Sequence, residues 1–319
     1  MRRTLAAAAL LIASSAFAQT GFPAHQVSLV VPFTPGGGTD TGARVIAQKL
    51  SQKWGQAVIV KNKGGAAGVI GADIVAKAKP DGYTILMGNI GTQSINPTLY
   101  KKLPYDPDKA FAAIGLVAEL PLMMMVNAQL PVKTPQEFIA YAKAHPGQLS
   151  YSTSGAGSSM HLAAELFKAQ SGTFILHVPY RGGGPAVADL IAGHVELSFA
   201  TVLEAIGQVK SGRIRALAVT SDKRVSAIPD VPTLAEAGLP GFNSISWIGL
   251  LAPAGTPKEI VDKISSDLRA VLTDPDVKQK LTELGAIPAG TTPAQFQLLI
   301  DNDRKRYAQL IRDKHITAE

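Results

Sequence analysis

From residue 27 to about residue 219, two patterns of apolar and polar positions take turns along the chain. Short apolar runs are typical of buried strands, and apolar residues three and four positions apart predict amphipathic helices. The predicted strands are 27–31, 57–60, 84–87, 123–126, 149–152, 177–179, 197–200 and 216–220. The predicted helices between them are 41–54, 69–77, 135–144, 158–170, 184–192 and 202–210. This alternation predicts an α/β protein with largely parallel sheets.

The chain ends on helical patterns at 257–272, 274–284 and 293–311, the last of which is charged on one face. We expect this last helix to pack along the outside of a lobe. In parallel sheets, ligands bind beyond the carboxyl ends of strands, where turns lead into helices. The glycine-rich turns of this chain are therefore the first candidates for a binding site.

The first such turn, here called loop 1, spans residues 33–40 between a predicted strand and a predicted helix. Its three consecutive glycines let backbone N–H groups approach a ligand without a Cβ in the way, and anions bind at helix N-termini. A plain connecting turn, with the aspartate only capping the helix, is the alternative interpretation. The predicted ligand-binding residues are Phe33, Thr34, Pro35, Gly36, Gly37, Gly38, Thr39 and Asp40.

A second turn, here called loop 2, spans residues 154–161 and has the same position between a strand and a helix. Its first half matches a dinucleotide-binding fingerprint, but Met160 stands where the third glycine belongs, and no acidic residue follows at a suitable place. We therefore predict no cofactor. The predicted ligand-binding residues are Ser154, Gly155, Gly157, Ser158, Ser159 and His161.

Loop 2 also raises the alternative of an exported serine hydrolase, with Ser158 or Ser159 as the nucleophile and His161 as the base. The Gly-x-Ser-x-Gly elbow of such enzymes is absent. A base in the first turn of the same helix is poorly placed to reach either serine, and no orienting carboxylate is evident. A histidine that satisfies polar groups at a helix start is the simpler interpretation.

Three further places supply polar groups near predicted strand ends. Residues 89–96 are rich in neutral hydrogen-bonding side chains, so Asn89 and Ser94 are candidates for a further wall of the site, although a polar loop explains them equally. Tyr180 either lines the pocket or fills a core. Arg181 is a candidate to grip a carboxylate, or a surface residue.

The first residues predict an export signal. Arg2 and Arg3 precede an apolar run at 5–15, and residues 16–18 are Ala-Phe-Ala, a small-x-small cleavage site. We predict a signal peptide over 1–18, a mature chain from Gln19, and a periplasmic location. The apolar run is too short for a lasting membrane span.

Composition removes several classes of function. The chain contains no cysteine, which excludes disulfides and thiolate sites. The net charge is +7, but the basic residues are scattered without interleaved aromatics, which argues against nucleic-acid binding. Six histidines stand at 25, 145, 161, 177, 194 and 315 without a paired spacing, so we predict no metal site.

Taken in order, a set of motifs resembles the substrate-binding receptors of tripartite tricarboxylate transporters, also called Bug receptors. The matching segments cover nearly the whole predicted mature chain: 31–40, 64–68, 81–84, 96–100, 130–134, 154–162, 178–182, 216–220, 231–238 and 247–257. The resemblance implies a type II periplasmic binding protein, with two α/β lobes around a ligand cleft. It implies lobe 1 from 19–121 and 246–319, lobe 2 from 122–245, and crossing segments near 120–123 and 244–247.

The resemblance also implies that backbone amides, hydroxyls and water grip a carboxylate, which lowers the weight of Arg181. Many members carry a polar or acidic residue after the strand at 197–199, where this chain has Ala200 and then Thr201. Thr201 is thus a further candidate contact, and an amino-acid ligand is placed in doubt.

From the motifs and the resemblance together, we expect a monomeric extracytoplasmic receptor, not an enzyme. It would bind a small organic mono- or dicarboxylate and deliver it to the membrane subunits of a tripartite transporter. The exported hydrolase, and a ligand sensor for a signalling partner, remain the alternatives.

Overall fold

The computed structural model describes residues 21–313 and 316–317. The predicted signal peptide lies outside these residues. The strands are β1 (Val27–Val31), β2 (Val58–Asn62), β3 (Thr84–Asn89), β4 (Phe111–Asn127), β5 (Ser150–Thr153), β6 (Leu176–Pro179), β7 (Leu197–Thr201), β8 (Ile214–Val219), β9 (Ile245–Pro253) and β10 (Ile287–Pro288). The α-helices are α1 (Gly38–Trp54), α2 (Val69–Ala76), α3 (Asn96–Leu99), α4 (Pro135–Ala144), α5 (Ser159–Ser171), α6 (Gly183–Ala192), α7 (Val202–Lys210), α8 (Lys258–Thr273), α9 (Pro275–Glu283) and α10 (Pro293–Asp313).

These elements build two α/β lobes, as predicted. The sheet of lobe 1 has the order β2-β1-β3-β9-β4, and the short β10 also pairs with β4. The sheet of lobe 2 has the order β8-β4-β7-β5-β6. Strand β4 therefore belongs to both sheets and joins the lobes. Its residues up to Pro121 pair with β9, whereas those from Leu122 pair with β7.

The sheets are mixed, and the prediction of largely parallel pairing was right only for their outer parts. Strand β1 runs parallel to β2 and β3, and β5 runs parallel to β6 and β7. Strands β4 and β9 pair antiparallel with their neighbours because each enters from the other lobe. The change of partner at Pro121 supports the predicted lobe bounds, which stay a prediction.

Each lobe has its own apolar core. In lobe 2, Met123–Met125 of β4 are fully buried against Phe138, Phe167 and Phe199, in agreement with their interpretation as an apolar strand. In lobe 1, α1 and α8 cover one face of the sheet, and α2 and α10 cover the other. Helix α10 is anchored where Trp247 Nε1 donates a hydrogen bond of 2.7 Å to Asp303.

Candidate ligand-binding site between the lobes

A small cavity lies between the lobes, and together with the open solvent at its mouth it encloses about 370 Å³. Loop 1 and loop 2 both border it, at the N-termini of α1 and α5. Most of the lining residues are uncharged, and they include both polar and apolar side chains. The lining residues are Phe33, Gly37, Gly38, Thr39, Asn89, Leu120, Ser154, Ser159, Met160, Gly183, Thr201, Glu204 and Ser246.

Loop 1 is held in shape by a buried carboxylate. Asp40 accepts hydrogen bonds from Gly36 N (3.0 Å), Arg44 Nε (2.9 Å) and Asn62 Nδ2 (2.9 Å). Burial opposes ionisation of Asp40, but the bonds from Arg44, Gly36 and Asn62 hold its pKa below the usual value. Gly36 has φ of +88°, a conformation that favours glycine. Asp40 lies outside the cavity lining and fixes the turn that presents the glycines.

Loop 2 is held by neutral groups instead. Ser158 caps α5, since its Oγ accepts a hydrogen bond of 3.2 Å from His161 N. The ring of His161 turns back and its Nδ1 accepts a bond of 3.2 Å from Gly157 N. Of the predicted loop 2 residues, Ser154 and Ser159 line the cavity, whereas Ser158 and His161 shape the turn behind it.

His161 belongs to a buried ring stack. Its imidazole lies parallel to that of His177, with ring centroids 4.3 Å apart, and His177 in turn stacks on Tyr151. Burial lowers the pKa of His161 and of His177 to about 4. The two rings are therefore neutral at pH 7 and add no positive charge behind loop 2.

The remaining predicted residues divide between the cavity and other parts of the structure. Asn89 and Thr201 line the cavity. Ser94 lies outside it, in the short π-helix Gly91–Ile95, and donates to Ile300 O at 3.3 Å. Tyr180 also lies outside and donates to Asp189 at 2.5 Å. Arg181 is exposed and does not line the cavity, in agreement with the lower weight that the family resemblance gave it.

Glycine backbones close the rim of the cavity. Gly36 and Gly37 of lobe 1 lie against Gly183 and Gly184 of lobe 2, and a Cβ at Gly184 would stand 2.7 Å from Pro35 O. A side chain there would hold the lobes apart. Across the same rim, Tyr100 Oη donates a bond of 3.0 Å to Ala156 O. The described structure is thus a closed form, with the two lobes in contact over the cavity. Thr34, Pro35, Gly36, Gly155 and Gly157 lie at this rim, outside the cavity lining.

Glu204 is a cavity residue that the sequence analysis missed. It is the third residue of α7, three positions after the N-cap Thr201, and its Oε2 accepts from Gly38 N (3.3 Å) and Thr201 Oγ1 (3.4 Å). Its Oε1 is buried without a hydrogen-bond partner. Burial raises the pKa of Glu204 to about 7. The sequence did contain a signal for this residue, because the Thr-x-x-Glu spacing of Thr201 and Glu204 is that of a capping box at a helix N-terminus.

Neither a metal-binding cluster nor a membrane-spanning helix is present among the described residues. Among residues 21–313 and 316–317, no group of three or more histidine, cysteine or acidic residues is arranged to hold a metal ion. No helix within those residues combines the length and apolar character needed to cross a membrane.

Comparison with known proteins identifies relatives of similar fold. An R. palustris protein solved with adipate is 38% identical, with a TM-score of 0.91 over 93% of this chain and 99% of its own. The periplasmic binding protein BugD is 36% identical, with a TM-score of 0.90 over 93% and 99%. MatC from Rhodopseudomonas palustris, solved with bound malate, is 35% identical, with a TM-score of 0.87 over 91% and 100%.

The family model described as the tripartite tricarboxylate transporter family receptor matches residues 42–316, which is most of the chain. The order of motifs, the two lobes and the solved relatives agree with that match. This chain belongs to the tripartite tricarboxylate transporter receptor family.

Proposed function

We propose that this protein is a periplasmic receptor that binds a small organic carboxylate in the cavity between its lobes. The observation that carries the proposal is that the N-termini of α1 and α5, one from each lobe, border the same closed cavity. The unpaired N–H groups and the dipole of a helix N-terminus favour an anion, so a carboxylate is the expected ligand group in this cavity. A ligand that contacts both termini would favour the closed form.

Neutral donors would supply the remaining contacts. Ser154, Ser159 and Thr39 border the cavity, and among the residues that the structure describes no lysine or arginine lines it. Each hydrogen bond to a carboxylate oxygen contributes about 1.5–3 kcal/mol. Several such bonds support binding in the micromolar range after the cost of ordering the ligand.

The solved relatives support the ligand class. Adipate and malate, which are bound in two of them, are small organic acids. These ligands are properties of those proteins, and for this chain they define the class of compounds to test first.

Lobe closure would be the working motion. We take 19–121 with 246–319 as lobe 1 and 122–245 as lobe 2, because β4 and the end of β9 are the strands that run between the sheets. A ligand that makes more contacts in the closed form shifts the population toward it. The closed receptor would then present both lobes to the membrane subunits of a tripartite transporter.

The periplasmic location and the monomeric state belong to the same proposal. The predicted signal peptide over 1–18 supports export, and BugD is a periplasmic relative. A monomer is expected because each chain carries both halves of the cavity.

The alternative of a serine hydrolase is disfavoured by the arrangement of loop 2. Ser158 Oγ accepts from a backbone N–H, and His161 Nδ1 accepts from Gly157 N, so this histidine is turned away from the serine hydroxyls. A sensor for a signalling partner would use the same closed form. We therefore rank transport first on the family match.

A thermal-shift screen of the mature chain tests the proposal. The panel contains aliphatic mono- and dicarboxylates, hydroxy acids, amino acids and aromatic acids, with the corresponding amides as neutral controls. We expect at least one acid to raise the Tm while its amide does not, and chromatography to recover that acid unchanged. Release of a reaction product, or an equal response to acid and amide, would contradict the proposed receptor.

A further inference from the structure

We propose that Glu204 selects the ligand: the cavity accepts a carboxylate whose far end carries a hydrogen-bond donor, a hydroxyl or an ammonium group, and it discriminates against a second carboxylate. This inference rests on the proposed receptor function and names the chemistry at the two ends of the ligand. It assigns the ligand carboxylate to loop 2 and the donor to Glu204, beside loop 1.

The first observation is the unsatisfied oxygen. Glu204 lines the cavity, and its Oε1 is buried without a partner, whereas its Oε2 accepts from Gly38 N and Thr201 Oγ1. A buried carboxyl oxygen without a partner costs free energy, which a donor on the ligand would recover. The site is built closely around this group, since a Cβ at Gly183 would collide with Oε1.

The second observation is the difference between the two helix termini. The first turn of α1 contains Asp40, whose carboxylate bonds Gly36 N, and Gly38 N already donates to Glu204. The first turn of α5 contains no acidic residue. Two acidic side chains thus already occupy donors at the α1 terminus, whereas the first turn of α5, beside Ser154 and Ser159 of the cavity lining, has no acid of its own. The ligand carboxylate is best accommodated at α5.

This orientation places the far end of the ligand beside Glu204. The lining contains no lysine or arginine to compensate a second negative charge there. A carboxylate facing the ionised Glu204 repels it and binds well only to the protonated acid, so the discrimination is expected above the pKa of about 7 that burial gives Glu204. A hydroxyl or ammonium group instead donates to the free oxygen. Glu204 also supplies, from α7, an acid near the place where Ala200 follows the strand.

Isothermal titration calorimetry on the mature chain at about pH 8.5, above the pKa of about 7 that burial gives Glu204, tests this with matched acids. Each set has one number of carbons, from three to six, and differs only in the last carbon, which is a methyl, a hydroxymethyl, an aminomethyl or a carboxylate group. In the wild-type protein, we expect the hydroxy or amino acid to bind at least about tenfold more tightly than the diacid of the same length. Whichever of the two binds more tightly identifies the donor.

The Glu204→Gln variant should bind the hydroxy or amino acid and the diacid about equally tightly. The glutamine amide lacks the negative charge of Glu204 and offers a hydrogen-bond donor to the second carboxylate of the diacid. Glu137→Gln is the matched control. Glu137 is also the third residue of its helix, after the N-cap Thr134, but it is exposed on α4 and does not line the cavity. This control should keep the wild-type ratio of affinities.

The two proposals fail in different ways. If the diacid binds the wild-type protein as tightly as the hydroxy and amino acids do, or if Glu204→Gln leaves the ratio unchanged, the role of Glu204 is refuted and the receptor function stands. If no acid in any set binds either the wild-type protein or Glu204→Gln, the receptor function is refuted, and the selection by Glu204 with it.

Discussion

Loop 1 and loop 2 each connect a strand to a helix, but the side chain that stabilises the turn is charged in loop 1 and neutral in loop 2. Each joins the central parallel strand of its lobe to a helix, β1 to α1 and β5 to α5. The third helical residue is the ionised Asp40 in loop 1 and the neutral His161 in loop 2. The same turn between a strand and a helix therefore contains an acid in its first helical turn in one lobe and none in the other.

The similarity of the two lobes extends from these turns to the order of the strands in the two sheets. Lobe 1 has the order β2-β1-β3-β9-β4 and lobe 2 the order β6-β5-β7-β4-β8, with the strand from the other lobe in the same place. The strands β3 and β7 correspond, and they end at Asn89 and Thr201, which both line the cavity. Two similar halves thus present chemically different ends to one cavity.

The largest expected effect comes from blocking the approach of the halves at Gly37. A Cβ there would lie 3.6 Å from Gly183 N in the closed form, so a longer side chain would run into the N-terminus of α6. We expect Gly37→Leu to weaken ligand binding by more than about a hundredfold, because the closed form is lost. The measurement is calorimetric titration with the best acid of the thermal-shift screen.

The control for Gly37→Leu is Gly207→Leu. Gly207 is an exposed glycine in α7 with no atoms near the position of its Cβ, so it adds the same side chain without touching the rim. Both variants should unfold cooperatively. If Gly37→Leu bound the acid as tightly as Gly207→Leu, contact between the glycine backbones would not be needed for binding.

The next effect is the loss of the acid that stabilises loop 1. Asp40→Ala leaves Gly36 N, Asn62 Nδ2 and Arg44 without their shared acceptor. We expect the free energy of unfolding to fall by about 2–3 kcal/mol, as for a carboxylate with several charge-assisted bonds. Urea denaturation measures it.

Arg44→Ala is the control for Asp40→Ala. The Arg44 side chain is 54% exposed, so its loss removes one partner of Asp40 while the two other bonds remain. The cost should stay below about 1 kcal/mol, as is usual for an exposed partner. Equal losses in the two variants would show that the ion pair, and not the buried acceptor, stabilises the turn.

The free energy of unfolding should fall in acid because His161 of loop 2 is buried as a neutral ring. The pKa of His161 is lowered to about 4 in the folded protein, against an ordinary value of 6.5. The unfolded chain therefore takes up a proton first, so the stabilising contribution is fully present above pH 6.5 and is lost as the pH falls toward 4. The slope is about 1.4 kcal/mol per pH unit for one histidine.

Denaturation of His161→Gln at pH 7 and pH 5 measures this contribution. The variant should lose less stability than the wild-type protein between those two pH values. His25→Gln replaces an exposed histidine and should follow the wild-type protein. If His161→Gln lost as much stability as the wild-type protein between pH 7 and pH 5, groups other than His161 would be responsible for the acid sensitivity.

The sequence predicted local features well and long-range ones poorly. The bounds of β1, α4 and α7 agree with the predicted segments because an apolar run or a helical period is read from neighbouring residues. The first half of β4 was missed because it is a strand only by virtue of pairing with β9, more than a hundred residues away in the chain. Pairing at that distance leaves no local signal.

The same limit applies to the site. Gly37, Gly38, Ser154 and Ser159, which line the cavity, could be named as candidates because a turn between a strand and a helix is a local feature. Glu204 was missed because its position beside Gly38 depends on lobe closure. Ser94 was predicted to line the site, but the packing of α10 buries it against Ile300.

The smallest expected effects separate the two adjacent serines of loop 2. Ser158→Ala removes the cap that accepts from His161 N, and the loss of such a cap costs about 1 kcal/mol of stability. Ser159→Ala removes a hydroxyl that lines the cavity, so its cost in stability should stay within about 0.5 kcal/mol. Its effect should instead be a loss of affinity for the acid of up to about tenfold. Urea denaturation and calorimetric titration of both variants compare the two roles. If Ser158→Ala lost affinity for the acid and Ser159→Ala lost stability, the roles assigned here to the two serines would be wrong, and Ser158 would be the residue that contacts the ligand.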